Sequence, residues 1–538
     1  PPLVPPDPAG GGLGARRALQ DVERNLDDLL TAPWDHHDNT EPLRHAFPTG
    51  MGFLWYGAEG GDAEVKRKLG AVYTLLCPAL LTGRFFDADD LAPTGNQIIY
   101  DMDVRYIGAD PENNGFDGKQ FKLMPPETHL FHKPKNKTVE EDDVLVPEPR
   151  RPGPLRVGVV TRFLAGAHPN GLLALGLLRE LARLEKYELY AFLIQTFPED
   201  RHDPRWQQAL KYVHEGVIVP ESLKVALQRV KDRYPDVLVY PEVGPDPVQY
   251  FMSFCRAAPV QAAWWGHPDT TGSPNIDWFV TSSIELPGVE KRYSEKPWLM
   301  EGLGAYFIRP ELLHDLDPDY YRNLFVRQLN LPPNFHFYYV AAPIERMHPL
   351  FVEAIAEILE KDKLGFALVP NSRFEPQWFQ EFERRYGRPR AARLLFFGTS
   401  GEQEDLALME SSEVVLEPFP SAHFYPALQA LSLGVPLVAK VGATLAGRTT
   451  LAMYRKLGVG DLLAATAQEY VQTALKVALA PNYRAQLSSR ILAANYKLFE
   501  DTSAVHEWEK FLTMVGAPLL SGEQPILIRR THLTPAEE

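Results

Sequence analysis

Three short loops carry residue types and spacings that could do chemistry. RFLAGAHPNG (162–171) places His168 just ahead of Pro169 and a run of leucines at helical spacing. A helix start exposes unpaired backbone N–H groups that favour anions, and a histidine there can shuttle a proton or donate to a phosphate oxygen. On spacing alone, a capping or solvated histidine is the equal alternative. GHPDTTG (266–272) sets Gly266, His267, Pro268 and Thr270 in a tight loop with hydroxyl donors, suited to a sugar or phosphate and equally to an ordinary turn. VGATLAGR (441–448) puts Thr444, Leu445, Ala446 and Arg448 between a strand and a helix, where backbone amides plus a guanidinium could hold a diphosphate. No Gly-Lys-Ser/Thr follows, so it is not a Walker loop.

Other acidic and histidine clusters fit chemistry less well. Asp101 and Asp103 have the spacing of a metal–diphosphate pair, but also that of a common strand face. The 110–115 turn starts like a calcium loop, yet its twelfth position is Phe121 rather than a carboxylate. Asp35, His36, His37 and Asp38 lack a second cluster at ligand spacing. No metal site is expected.

The elements that must position the three loops follow from hydrophobic pattern. LRVGVVT (155–161), 188–194, 217–219, 237–240, 260–265 and 278–281 read as strands, alternating with helices over 172–184, 204–213 and 221–233. A second series repeats this, with strands at 336–342, 365–369, 394–397, 414–416 and 437–439 and helices at 350–361, 378–385, 402–409 and 424–433, then a helical tail over 468–514. Strands alternating with helices predict an α/β fold of two Rossmann-like domains facing a cleft, with parallel sheets covered on both faces. Pro- and charge-rich residues 139–154 mark a boundary. The expected plan is a Pro/Gly-rich tail (1–14), a mixed accessory domain (15–153), a first Rossmann-like domain (154–320), a second with its helical tail (321–515), and an extension (516–538).

Composition narrows the partners. The 538 residues carry a net charge of −15, which argues against a nucleic-acid backbone as ligand. No apolar run approaches the ~20 residues of a membrane span. Two cysteines, Cys77 and Cys255, make no disulfide framework, so a reducing, cytoplasmic compartment is expected. The first residue is Pro1, which reads as a fragment or processed form and leaves a removed targeting segment open.

At these loops the sequence resembles a known family. PLRVGVV, GAHPNGLL, APVQAAWWGHPDTTGSPNIDW, YSEK (293–296) and TLAGR (444–448), in that order, are similar to the family 41 glycosyltransferases over about residues 154–514. That family includes O-GlcNAc transferases, SPINDLY proteins and bacterial cytoplasmic N-glucosyltransferases. VAAPIERMHPLFVEAI and EPFPSAHF are most similar to the last branch. The resemblance implies a GT-B fold and metal-independent, inverting transfer of a sugar from a nucleotide-sugar donor, most simply a UDP-sugar, to a protein side chain. No further cofactor is implied. It also implies that His168 is the active-site histidine and that Thr444, Leu445 and Ala446 hold the donor diphosphate.

Four donor-pocket positions depart from the family pattern. The phosphate-binding lysine falls on Arg346, a planar fork rather than a point charge. The aspartate that holds the ribose falls on Gln429, which is neutral. A hydroxyl-rich element falls on Phe424, Tyr425 and Pro426, with His423 one position early, and the base-stacking histidine falls on Asp405. Two readings follow: an enzyme with a divergent donor pocket, or a catalytically silent fold kept as a binding or scaffold subunit.

Overall fold

The computed structural model describes residues 153–521 except 167, 196, 221, 245, 254, 269, 274, 311–319, 321, 324–325, 328–330, 332–333, 345–346, 373–374, 399–400 and 421. The expectations for residues 1–152 and for Arg346 lie outside the described residues.

The first lobe is built on seven strands: β1 (Leu155–Thr161), β2 (Tyr187–Ile194), β3 (Glu215–Val219), β4 (Val237–Tyr240), β5 (Val260–Trp264), β6 (Trp278–Ser282) and β7 (Lys296–Met300). They pair in parallel in the order β3-β2-β1-β4-β5-β6-β7. All seven residues of β1 are buried, so its apolar residues run on rather than alternate, and the one charged residue, Arg156, is paired with the buried Asp236. The crossovers carry α1 (Pro169–Arg183), α2 (Pro204–Ala209), α3 (Leu223–Lys231) and α4 (Pro247–Ser253).

The second lobe repeats the plan with β8 (His336–Val340), β9 (Gly365–Pro370), β10 (Leu394–Phe397), β11 (Val414–Leu416), β12 (Leu437–Lys440) and β13 (Leu463–Ala464), all parallel, in the order β10-β9-β8-β11-β12-β13. Its helices are α5 (Pro349–Lys361), α6 (Glu375–Tyr386), α7 (Arg388–Ala391), α8 (Glu402–Glu410), α9 (Phe424–Leu433), α10 (Thr449–Leu457), α11 (Ala467–Leu479) and α12 (Pro481–Ala494). In each sheet the strand order reverses once, between β1 and β4 and between β8 and β11. Ligands of such sheets sit beyond the carboxyl ends of the strands at that reversal.

The α/β class and the helical end match the sequence reading; details differ. The stretch expected as one helical tail is α11, α12 and a final helix, α13 (Ser503–Leu520). This last helix leaves the second lobe and packs on the first sheet, with Trp508 edge-on to Trp264 at 5.1 Å and Phe511 against Trp278 at 5.9 Å. Strand β7 and helix α4 were not anticipated. KPWLM in β7 pairs only with β6, and as an edge strand it tolerates Pro297.

The two passages of the chain between lobes lie side by side. Phe307 and Phe499 form an isolated parallel bridge, the amide of Glu500 donates to the Phe307 carbonyl at 2.9 Å, and the Arg309 guanidinium covers the Phe499 ring at 4.5 Å.

Candidate functional site

The loop after β1 is fixed by its own polar groups. The Thr161 hydroxyl donates to the buried Glu242 carboxyl at 2.6 Å and accepts the Phe163 amide at 3.0 Å. Phe163 then stacks on the His168 ring, with centroids 3.7 Å apart and planes 17° from parallel. His168 is the N-cap of α1: its Nδ1 accepts the Asn170 amide at 3.2 Å, with Pro169 at the first helical position. Because Nδ1 is the acceptor, the neutral ring carries its proton on Nε2, which is therefore a donor. The geometry thus favours donation to an oxygen over proton abstraction. Gly171 is required here, since a Cβ would lie 1.8 Å from the Phe163 carbonyl oxygen.

The capping device recurs in the second lobe, a parallel the sequence reading missed. His348 precedes Pro349 as His168 precedes Pro169, and its Nδ1 accepts the Leu350 amide at 3.1 Å. Burial, reinforced by the Lys440 ammonium, lowers the His348 pKa to about 4, so it is neutral near pH 7. A repeated His-Pro dipeptide after the first strand of each lobe was the available signal.

GHPDTTG and YSEK turn out to be one unit. Glu295, nearly fully buried, accepts the Thr270 hydroxyl at 2.6 Å and the Thr271 amide at 2.8 Å, and also takes the Thr271 hydroxyl. Ser294 adds a bond from the Gly272 amide at 3.0 Å and one to Thr270 at 2.8 Å. The Thr270 hydroxyl is therefore committed to holding the loop. Gly266 meets the α1 start through Asn170, whose Nδ2 donates to the Gly266 carbonyl at 3.2 Å. His267 is buried, with its ring against Gly244, and Pro268 beside it is half-buried.

In the second lobe, the loop between β12 and α10 closes on itself. The Gly442 amide donates to the Gly447 carbonyl at 2.8 Å, and the Gly447 amide to the Thr444 carbonyl at 3.1 Å. Close approach of these two glycines and Pro420 leaves no room for a Cβ at 447, which would lie 2.7 Å from the Pro420 oxygen. Among the described residues, the amides of Thr444, Leu445 and Ala446 make no hydrogen bond. These are the donors an anion could take.

Arg448 also reaches across the crevice. Its Nε donates to the Ile284 carbonyl of the first lobe at 2.6 Å and its Nη1 to the Gly442 carbonyl at 3.1 Å, so it ties the loop to the opposite lobe. Beneath the loop, Glu417 accepts the Thr450 hydroxyl. Burial raises the carboxyls of both Glu417 and Glu242 to about 8, so both are protonated at neutral pH. A charged Glu417 would otherwise oppose an anion at the start of α10.

At the start of α9, His423 is the N-cap residue, and Phe424 packs across the crevice against Trp265 (5.4 Å, 86°) and Phe307 (6.0 Å). The Tyr425 hydroxyl donates to Glu402, and Gln429 Nε2 donates to the same carboxylate at 3.2 Å. A carboxylate thus stands beside the position where the family pattern loses one. Sequence reasoning missed Glu402; Gly401 followed by an acid at the first turn of a helix was its only signal. Asp405 accepts the Tyr339 hydroxyl at 2.6 Å, which ties it to β8.

Two doubly wound parallel lobes facing a crevice, with the last helix returning to the first lobe, make this a GT-B glycosyltransferase fold. A mutant O-GlcNAc transferase from Thermobaculum terrenum shares it, with a TM-score of 0.59, 18% identity, and coverage of 94% of this chain and 98% of that one. In sequence, the chain is similar to protein glycosyltransferases over about half its length. It is 25% identical over 259 residues to a UDP-glucose:protein N-beta-glucosyltransferase of Actinobacillus pleuropneumoniae, covering 47% of this chain and 40% of that protein. It is 27% identical over 300 residues to a probable UDP-N-acetylglucosamine–peptide N-acetylglucosaminyltransferase SPINDLY of Arabidopsis thaliana, covering 52% and 30%. The chain therefore spans less than half the length of these curated relatives. No family model matches it.

Proposed function

We propose that the protein transfers a sugar from a nucleotide-sugar donor, a UDP-sugar in the first instance, to a protein side chain, without a metal and with inversion. The observation that carries this reading is the self-closed 441–448 loop with its three unbonded amides at the start of α10. In this reading Thr444, Leu445 and Ala446 hold the diphosphate, and their fixed dipoles stabilise charge on the departing nucleotide. Arg346 adds positive charge. His168 donates from Nε2 to an oxygen of the reacting partners, while Gly266, His267, Pro268 and Thr270 shape the acceptor side. Tyr425, Gln429 and His423 line the donor side, with Arg448 holding the lobes in register. Relatives named for UDP-sugars and for protein or peptide acceptors support the substrate classes. Among the described residues, no helix is long and apolar enough to cross a membrane. A cytoplasmic setting is part of the same proposal.

The alternative, a silent binding subunit, is favoured by one feature: Phe424 of the second lobe packs against Trp265 and Phe307, beside the Tyr425–Glu402 pair, and so takes up space between the lobes. Calorimetry with UDP and transfer assays over UDP-, GDP- and dTDP-sugars with a polypeptide acceptor separate the two. Binding plus turnover supports the enzyme; no binding and no turnover overturns it.

A further inference from the structure

A fully buried acid lies beneath the His168 loop. Glu242 follows β4, where the strand order of the first sheet reverses, and none of its surface is exposed. Two groups meet its Oε1: the Thr161 hydroxyl, at the end of β1, at 2.6 Å, and Gln249 Nε2 at 3.2 Å. Gln249 is itself pinned, donating from Nε2 to the Val160 carbonyl at 2.6 Å and from its amide to Asp246 at 2.7 Å, while Asp246 pairs with Arg162. An apolar side chain of the same size would fill this space without the desolvation an acid costs.

From Oε1 an unbroken series of contacts leads to the histidine. The Thr161 hydroxyl has one proton, which Glu242 takes, and this leaves the oxygen to accept the Phe163 amide at 3.0 Å. The Phe163 ring then lies on the His168 imidazole, with centroids 3.7 Å apart and planes 17° from parallel. The segment carrying Glu242 also braces the 266–272 loop. A Cβ at Gly266 would lie 2.5 Å from the Pro241 carbonyl oxygen, and one at Gly244 would lie 3.0 Å from the His267 ring.

We propose that Glu242 is a positioning residue for His168: it orients the Thr161 hydroxyl, which fixes the Phe163 backbone, which sets the plane of the imidazole. The inference rests on the proposed transfer reaction for its kinetic consequence, but not for its structural one. Sealed from solvent, Glu242 acts through Thr161 and not on a reactant. Burial raises its pKa to about 8, so near pH 7 the group that holds Thr161 is neutral, and glutamine reproduces it.

The test uses the full chain and two readouts. The first is the imidazole Cε1–Hε1 NMR signal of His168, assigned by its loss in His168→Asn, with the His348 signal as internal reference. Thr161→Val, which keeps the shape and removes the hydroxyl, should shift the His168 signal and leave His348 in place. Glu242→Leu should do the same, Glu242→Gln should leave both signals near the parent, and the Thr161→Val/Glu242→Leu double variant should shift His168 no further than the larger single change. The second readout is transfer at pH 7: Thr161→Val and Glu242→Leu should lower kcat roughly ten- to hundredfold while UDP affinity stays within about twofold, and Glu242→Gln should restore kcat. If Glu242→Leu does not fold, Thr161→Val and Glu242→Gln decide the matter. An unchanged His168 signal in folded Thr161→Val overturns the proposal, as does an equal shift of His348. Loss of transfer in Glu242→Gln with the His168 signal in place also overturns it, because the carboxyl itself would then be needed. A shifted signal in a protein whose parent transfers no sugar overturns the enzymatic reading and leaves the positioning standing.

Discussion

Replacing Gly447 by alanine tests the anion-loop argument most directly. The new Cβ would sit 2.7 Å from the Pro420 oxygen and 2.9 Å from the Gly442 Cα, and both neighbours are backbone. Ordinary contact starts near 3.4 Å, so relief needs displacement on the order of half an ångström in a close-packed region. Overpacking of this kind costs about 1–3 kcal/mol in stability. The Gly442–Gly447 bond of 2.8 Å closes the loop, and the amides of Thr444, Leu445 and Ala446 lie within it, so their aim changes with the displacement. Misaiming two or three charge-assisted donors should weaken UDP binding by roughly ten- to hundredfold. Gly460→Ala is the control, because its Cβ would meet nothing within 4 Å. Calorimetric titration with UDP and thermal unfolding of both variants give the answer. If Gly447→Ala binds UDP within twofold of the parent protein, these amides do not hold the diphosphate.

Three further outcomes are expected. His168→Ala should abolish transfer and cost about 1 kcal/mol through the lost cap on α1, whereas His168→Asn should recover the melting temperature but not the activity. Glu295→Ala orphans two hydroxyls and the Thr271 amide, and should cost roughly 2–4 kcal/mol by denaturant unfolding, with acceptor use lost alongside; a near-neutral result would detach YSEK from the 266–272 loop. For pH, burial raises Glu242 and Glu417 from 4.5 to about 8, so the native chain keeps two protons that the unfolded chain releases. Their contribution is full below pH 4.5 and is lost as pH climbs toward 8. Melting temperature should accordingly fall across that range, and the Glu242→Gln/Glu417→Gln double variant should flatten the fall; parallel profiles would count against the assignment.

The strands were legible because buried parallel strands write themselves as apolar runs, unbroken in β4 and interrupted in β1 only by Arg156 near its start. His168-Pro169 was legible as a helix start for the same local reason: cap and proline act within one turn. What escaped depends on residues distant in sequence. Nothing in YSEK says that Glu295 anchors a loop 24 residues earlier. Arg448 reads as an anion ligand from its neighbours, yet its partner carbonyl lies 164 residues away. Glu402 meets Tyr425 and Gln429 of another helix, 23 and 27 residues further along the chain. Pairing between helices leaves no periodic trace along a chain.

The paired crossings at Phe307 and Phe499 have a mechanical consequence. Because the outgoing and returning segments are zipped to each other, sliding or independent twisting of the halves would tear that zipper. Swinging about it would not. Any relative movement of the lobes that keeps this bridge is a rotation about it, and the groups farthest from that pivot travel most for a given angle.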